Sequence, residues 1–176
     1  MNRASRLQLL GLFTVVLVGA GLRLVPHPSN FSPITAMALF GGAYFARNLG
    51  KGWALALPVA ALFLSDLVLG FHSLMPAVYG SFMMVALLGM ALGPKPSALR
   101  VGLASVSGSI LFFVITNLAM WWTAGMYEKT SAGLVQCFVM ALPFFQQALA
   151  GDLVYSAVLF GGWALATKAL PQLRVA

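Results

Sequence analysis

The chain has 176 residues, of which 61% are hydrophobic and 7% charged, with a formal net charge of +7. A soluble domain carries about 25% charged residues, so this composition cannot cover a water-facing surface, and it points to an integral membrane protein in one domain, residues 1–176. The basic residues sit in short loops between apolar runs, where they read as topology signals and imply no nucleic-acid partner, and the single cysteine excludes an internal disulfide.

Arg3 and Arg6 precede the apolar run Leu7 to Leu24. The pattern is like that of a signal peptide, with Val18-Gly19-Ala20 as a passable cleavage site, but apolar runs continue through the chain and an uncleaved first span is expected. Pro26-His27-Pro28-Ser29-Asn30-Phe31-Ser32-Pro33 follows. Its prolines fix φ and remove backbone donors, which forbids a continuous helix. The second span, Ile34 to Ala46, is short for a hydrocarbon core of about 30 Å. The third runs from Trp53 to Leu69 with Pro58 inside it. Pro76 starts the fourth, which ends near Gly93, and the fifth runs from Val101 to Trp122. Ser131 to Leu170 is longer than one span. Pro143 and Gly151-Asp152 divide it into a short outer interfacial helix, Ala132 to Leu142, and a sixth span from Gly151 to Leu170.

Charge selects six spans. Cytoplasmic loops are enriched in Lys and Arg. With the N-terminus inside, the inner side holds Arg3, Arg6, Arg47, Lys51, Lys95, Arg100, Lys168 and Arg174, and the outer side holds Arg23 and Lys129, eight against two. A seventh span gives six against four. Both termini are therefore expected in the cytoplasm.

That topology gathers the polar residues outside. His27 and Asn30 lie in the first outer loop, Asp66 near the outer end of span three, and His72 just after it. Tyr79 begins span four, Asn117 lies in the outer half of span five, and Asp152 leads into span six. A carboxylate within a membrane segment costs a few kcal/mol unless it is paired or hydrated, and Asp66 also faces the unfavourable end of the helix dipole. It needs a partner. Arg23 is the natural one, and the pair can be a structural clamp, a ligand contact or both. Asp152, after Gly151, is a candidate helix cap as well as a candidate ligand contact. Two histidines without cysteine or glutamate at ligand spacing give no metal site. Cys137 reads as a small buried apolar residue. Phe144-Phe145-Gln146-Gln147 mixes aromatic and carboxamide groups, as binding sites and membrane interfaces both do.

Gly11, Val15 and Gly19 form a stripe of small side chains along span one, and such stripes permit close helix approach. There is no G-x-S-x-G, no H-E-x-x-H and no phosphate-binding glycine loop, so no enzyme is expected. The serines of Ser105-Val106-Ser107-Gly108-Ser109 are expected to bond their own helix or a neighbour.

His27-Pro28-x-Asn30-Phe31-Ser32-Pro33, Ala38-Leu39-Phe40-Gly41-Gly42-Ala43, Leu64-Ser65-Asp66, Tyr79-Gly80-Ser81-Phe82 and Gly151-Asp152-Leu153 resemble an uncharacterised bacterial family of predicted transport proteins related to the S components of energy-coupling factor (ECF) vitamin transporters. The resemblance implies a six-helix all-α bundle in the bacterial inner membrane. It implies substrate capture at the outer face by the loops between spans one and two, three and four, and five and six. The expected substrate contacts are His27, Asn30, Asp66, His72, Tyr79, Asn117 and Asp152. It further implies docking through span one, at Gly11, Val15 and Gly19, onto a transmembrane coupling subunit with two ATPases. The family's alanines are replaced there, and solitary relatives work without that module. Some of those take up cobalamin, one group ligating cobalt through a cysteine, a part that only Cys137 could play here. No cofactor is implied. The other reading is a membrane scaffold whose polar groups are structural clamps. The outward crowding of polar residues favours transport.

Overall fold

The computed structural model describes residues 3–26, 28, 30–48, 50–93 and 95–169, with the side chains of 3–9, 12 and 48 excepted. Among them the chain is all helical. The helices are α1 (Arg3–Leu24), α2 (Ile34–Phe40, continued by a π-helical stretch Gly41–Phe45 and by Ala46–Asn48), α3 (Lys51–Leu69), α4 (Met75–Ala91), α5 (Ala98–Thr123) and α6 (Ser131–Ala169). Three of them, α3, α5 and α6, are long and apolar enough to cross a membrane, and the chain is a membrane protein on that ground. The prolines act where the sequence places them. Pro33 sits at the head of α2 and Pro76 in the first turn of α4, where a missing amide costs no helical hydrogen bond.

The short second helix is the centre of the bundle. Every residue from Ile34 to Phe45 is buried. The other helices surround it in the order α1, α3, α4, α5, α6, each packing on the next. A groove remains between α6 and α1. Backbone packs on backbone where α2 crosses α4. A Cβ on Gly42 would lie 2.8 Å from the Met90 amide nitrogen, and one on Gly89 2.8 Å from the Leu39 Cα, so both sites require glycine. The far end of α2 is closed by rings, Phe40 and Tyr44 against Phe160 and Trp163. The outward faces carry large exposed apolar side chains, such as Phe13 and Leu17 on α1, Val68 on α3, Leu103 and Ile110 on α5 and Val158 on α6. That is the surface a bilayer solvates and water does not.

The structure corrects the reading of the last third. No interfacial helix is separated from a final span, because Ser131–Ala169 is one helix of 39 residues with Pro143 inside it. One proline removes one amide donor, and a long apolar helix with packed neighbours tolerates that loss. At 1.5 Å per residue α6 is about 58 Å long, about twice the hydrocarbon thickness. Gly151 is not a break either. Its missing side chain admits Phe31, whose Cα lies 3.1 Å from where a Cβ would stand. Asp152 is therefore no helix cap; it sits mid-helix and is buried.

The small stripe of α1 is divided. Gly19 is buried and takes the Met37 side chain against its Cα, whereas Gly11 has open space around it and Val15 packs at the edge of the core. Only Gly11 and Val15 border the lower part of the open groove, opposite Gly162 and Trp163 of α6. Gly19 borders the upper part of that groove as well as packing on Met37.

Candidate functional site

The ends of α1, α3 and α5 meet the starts of α2 and α4 at one end of the bundle, and two polar groups form there. The first is a clamp. Arg23, in the last turn of α1, donates from Nη1 to Asp66 Oδ1 at 2.7 Å and also contacts the Ser65 hydroxyl. Tyr79 of α4 donates its hydroxyl to Asp66 Oδ2 at 2.7 Å. The Asp66 carbonyl accepts from Gly70 N at 2.8 Å. Gly70 ends α3 with φ of 94°, a conformation open to glycine without a Cβ clash. Asp66 is thus paired as the sequence demands, with both carboxylate oxygens engaged by protein. Asp66 and Tyr79, expected at a ligand, tie α1, α3 and α4 together.

The second group lines a cavity of about 240 Å³ between α5, the first half of α6 and the two loops represented by Asn30 and Leu74. Asn30 has φ of 63°, a left-handed conformation that asparagine tolerates better than most residues. Asn117 stands on α5, its Nδ2 donating to the Phe113 carbonyl at 2.8 Å. Phe112 and Phe113 of α5 and Phe144 and Phe145 of α6 supply the walls, with Phe113 and Phe145 4.8 Å apart between ring centroids. Ser109 is the polar floor.

Behind that floor lies Asp152. Its Oδ2 is 2.6 Å from Ser109 Oγ, and Thr35 of α2 also faces it. One turn along both helices, Ser156 Oγ donates to Ser105 Oγ at 3.3 Å. Asp152 therefore meets the cavity only through Ser109. No buried polar side-chain atom among the described residues lacks a hydrogen-bond partner.

The expected site residues are thereby sorted. Asn30 and Asn117 share the cavity; Asp152 underlies it; Asp66 and Tyr79 form the clamp. His72 is exposed in the turn before α4, where its carbonyl accepts from Met75 N at 3.2 Å. His27 lies outside the described residues. Cys137 is buried, with Sγ 3.5 Å from the Asn117 carbonyl, and does not line the cavity. No cluster of His, Cys, Asp or Glu among the described residues could hold a metal ion. Sequence reasoning missed Ser109 and the Phe112–Phe113 wall. The signal was there in the matched spacings Ser105/Ser109 and Asp152/Ser156, each one helical turn.

Residues 3–173 match a family of unknown function, DUF6580, and the chain belongs to that family. No curated protein and no solved structure matches it.

Proposed function

For this member of a family of unknown function we propose a substrate-binding membrane subunit, S-component-like, that takes up a vitamin or similar micronutrient. In this reading six spans cross the bacterial inner membrane, both termini are cytoplasmic, and the site opens toward the outer face. One observation carries the reading: the cavity where Asn30 and Asn117 converge between aromatic walls. Apolar walls with a few placed polar groups are the usual make-up of a small-molecule site. The loop after α1 and the loop after α3 both border it, as the resemblance implies for substrate capture, and the first half of α6 supplies the third side.

The cavity's size narrows the ligand. At about 240 Å³ it is below the roughly 300–1,000 Å³ of pockets for drug-sized molecules. It suits a compound of one or two flat rings, able to stack on phenylalanine and accept or donate at carboxamides. A corrin with its nucleotide tail is far larger, and Cys137 faces a backbone carbonyl, so cobalamin is not the substrate favoured. Whether the subunit works alone or with a coupling subunit and two ATPases turns on what covers Gly11 and Val15.

The scaffold reading has its own support in the clamp, where both Asp66 oxygens are engaged by protein and the side chain is 2% exposed. Ligand screening separates the two. The detergent-solubilised protein is heated with each of a panel of ring-containing vitamins. A true ligand at 100 times its Kd stabilises by about 2.7 kcal/mol in the wild type and not in Asn117→Leu. A panel that stabilises neither protein, or both equally, favours the scaffold.

A further inference from the structure

The α5–α6 seam joins two clefts that lie toward opposite ends of the bundle. Ser109 is the floor of the cavity described above. Ser156 lines a second cleft of about 440 Å³, walled by Val101 and Gly102 at the start of α5 and by Phe160 and Gly161 farther along α6. Between them stand two polar rungs one turn apart, Ser109–Asp152 and Ser105–Ser156.

Asp152 is 3% exposed. The segments packed on α6 are α5, α2 and the loop at Phe31, and among the described residues Ser109 and Thr35 face Asp152. Their remaining titratable groups among the described residues lie elsewhere. Tyr44 sits at the far end of α2 against Trp163, Arg100 reaches the Ala91 carbonyl, and Tyr155 on α6 packs its ring on Phe31. The one ion pair among the described residues is Arg23–Asp66, so among those residues the carboxyl of Asp152 is met by hydroxyls alone. A carboxyl in a membrane interior needs a proton or a cation.

The hydroxyl geometry accommodates both proton states. Ser109 Oγ is 2.6 Å from Asp152 Oδ2 and 3.0 Å from the Ser105 carbonyl, yet a hydroxyl has one hydrogen to donate. With Asp152 ionised, Ser109 donates to Oδ2. With Asp152 protonated, Oδ2–H donates to Ser109 Oγ, which turns its own hydrogen to the Ser105 carbonyl. Neither state leaves a buried donor unmatched.

We propose that Asp152 is a proton-exchange site, reached from one cleft through Ser109 and standing one helical turn from the Ser105–Ser156 rung that borders the other, and that it couples uptake to proton movement. The step forms an O–H bond on Oδ2 from one arriving proton and breaks it on release, with no redox change. The coupling rests on the uptake reading; the proton site does not.

The test uses the full chain in lipid vesicles of one orientation, sorted through a terminal tag, with infrared difference spectra recorded as pH is changed on one side and then on the other. The wild type gives a protonated-carboxyl carbonyl band that responds to either side. Asp152→Asn loses the band, and Ser109→Ala and Thr35→Val shift it without removing it, so the assignment survives if the asparagine variant fails to fold. A difference spectrum unchanged in Asp152→Asn, or a band indifferent to Ser109→Ala and Thr35→Val, overturns the site. A response from one side only overturns exchange between clefts, and a band that follows sodium and ignores pH overturns the proton. Ligand binding lost with the band intact defeats uptake and leaves the proton site standing.

Discussion

Arg23 Nη1 and Asp66 Oδ1 meet at 2.7 Å across 43 positions of sequence. The Asp66 side chain is 2% exposed and that of Arg23 19%, so the carboxylate is held almost wholly inside protein and its charge is met at the mouth of α1. Removing one member leaves a buried charge, at a cost of about 3–5 kcal/mol. Asp66→Ala and Arg23→Ala are each expected to lose stability of that order in detergent unfolding. The double variant should lose less than the sum of the two, since they act on one interaction. Additive losses would show that the pair is not coupled.

Tyr79→Phe isolates the second arm of the clamp. It removes one hydroxyl that donates to a carboxylate and keeps the ring. A loss of about 1.5–3 kcal/mol is expected for a hydrogen bond to a charged group. Ligand binding should be unchanged, because Tyr79 does not line the cavity.

Gly42→Ala and Gly89→Ala place a methyl against backbone that cannot turn aside. Overpacking costs about 1–3 kcal/mol, and backbone contact puts these sites at the upper end. Gly102→Ala, at a helical position with nothing within 4 Å of the added carbon, is the control. It is expected to be neutral or stabilising by about 0.5–1 kcal/mol. Thermal unfolding of the three variants in one detergent decides it.

Continuity of α6 predicts slow amide exchange from Phe144 to Ala150, because these amides are inside the helix. A loop joining an interfacial helix to a separate span would exchange them as fast as the turn at Gly125. Hydrogen exchange read by mass spectrometry on the reconstituted protein distinguishes the two.

The sequence announced what burial forces. Asp66 in an apolar run needed a cation, and Arg23 was the one at hand; Pro33 and Pro76 marked helix starts because a ring nitrogen cannot donate. The central place of α2 was hidden, since a short helix buried on all sides and a short span have the same apolar composition. Asp152 was misread because Gly-Asp is a common helix start, and nothing local reports that Phe31 fills the glycine's missing side chain. Pro143 was weighed as a breaker on local grounds, although tertiary packing decides whether a helix survives a proline. Asn30 and Asn117 were legible as isolated polar groups, and the cavity between them was not, because Ser109 and the facing phenylalanines come together only when α5 and α6 pair.

The central claim is that the cavity between Asn30 and Asn117 holds a small molecule. Its most direct test is mass spectrometry of small molecules that leave the cell with the detergent-purified protein, compared with Asn117→Leu eluting as an equally sharp peak. The account predicts a compound of one or two rings on the wild type that is absent from the variant. A wild-type protein that carries no small molecule after growth in several media, or one that Asn117→Leu retains in full, would contradict it.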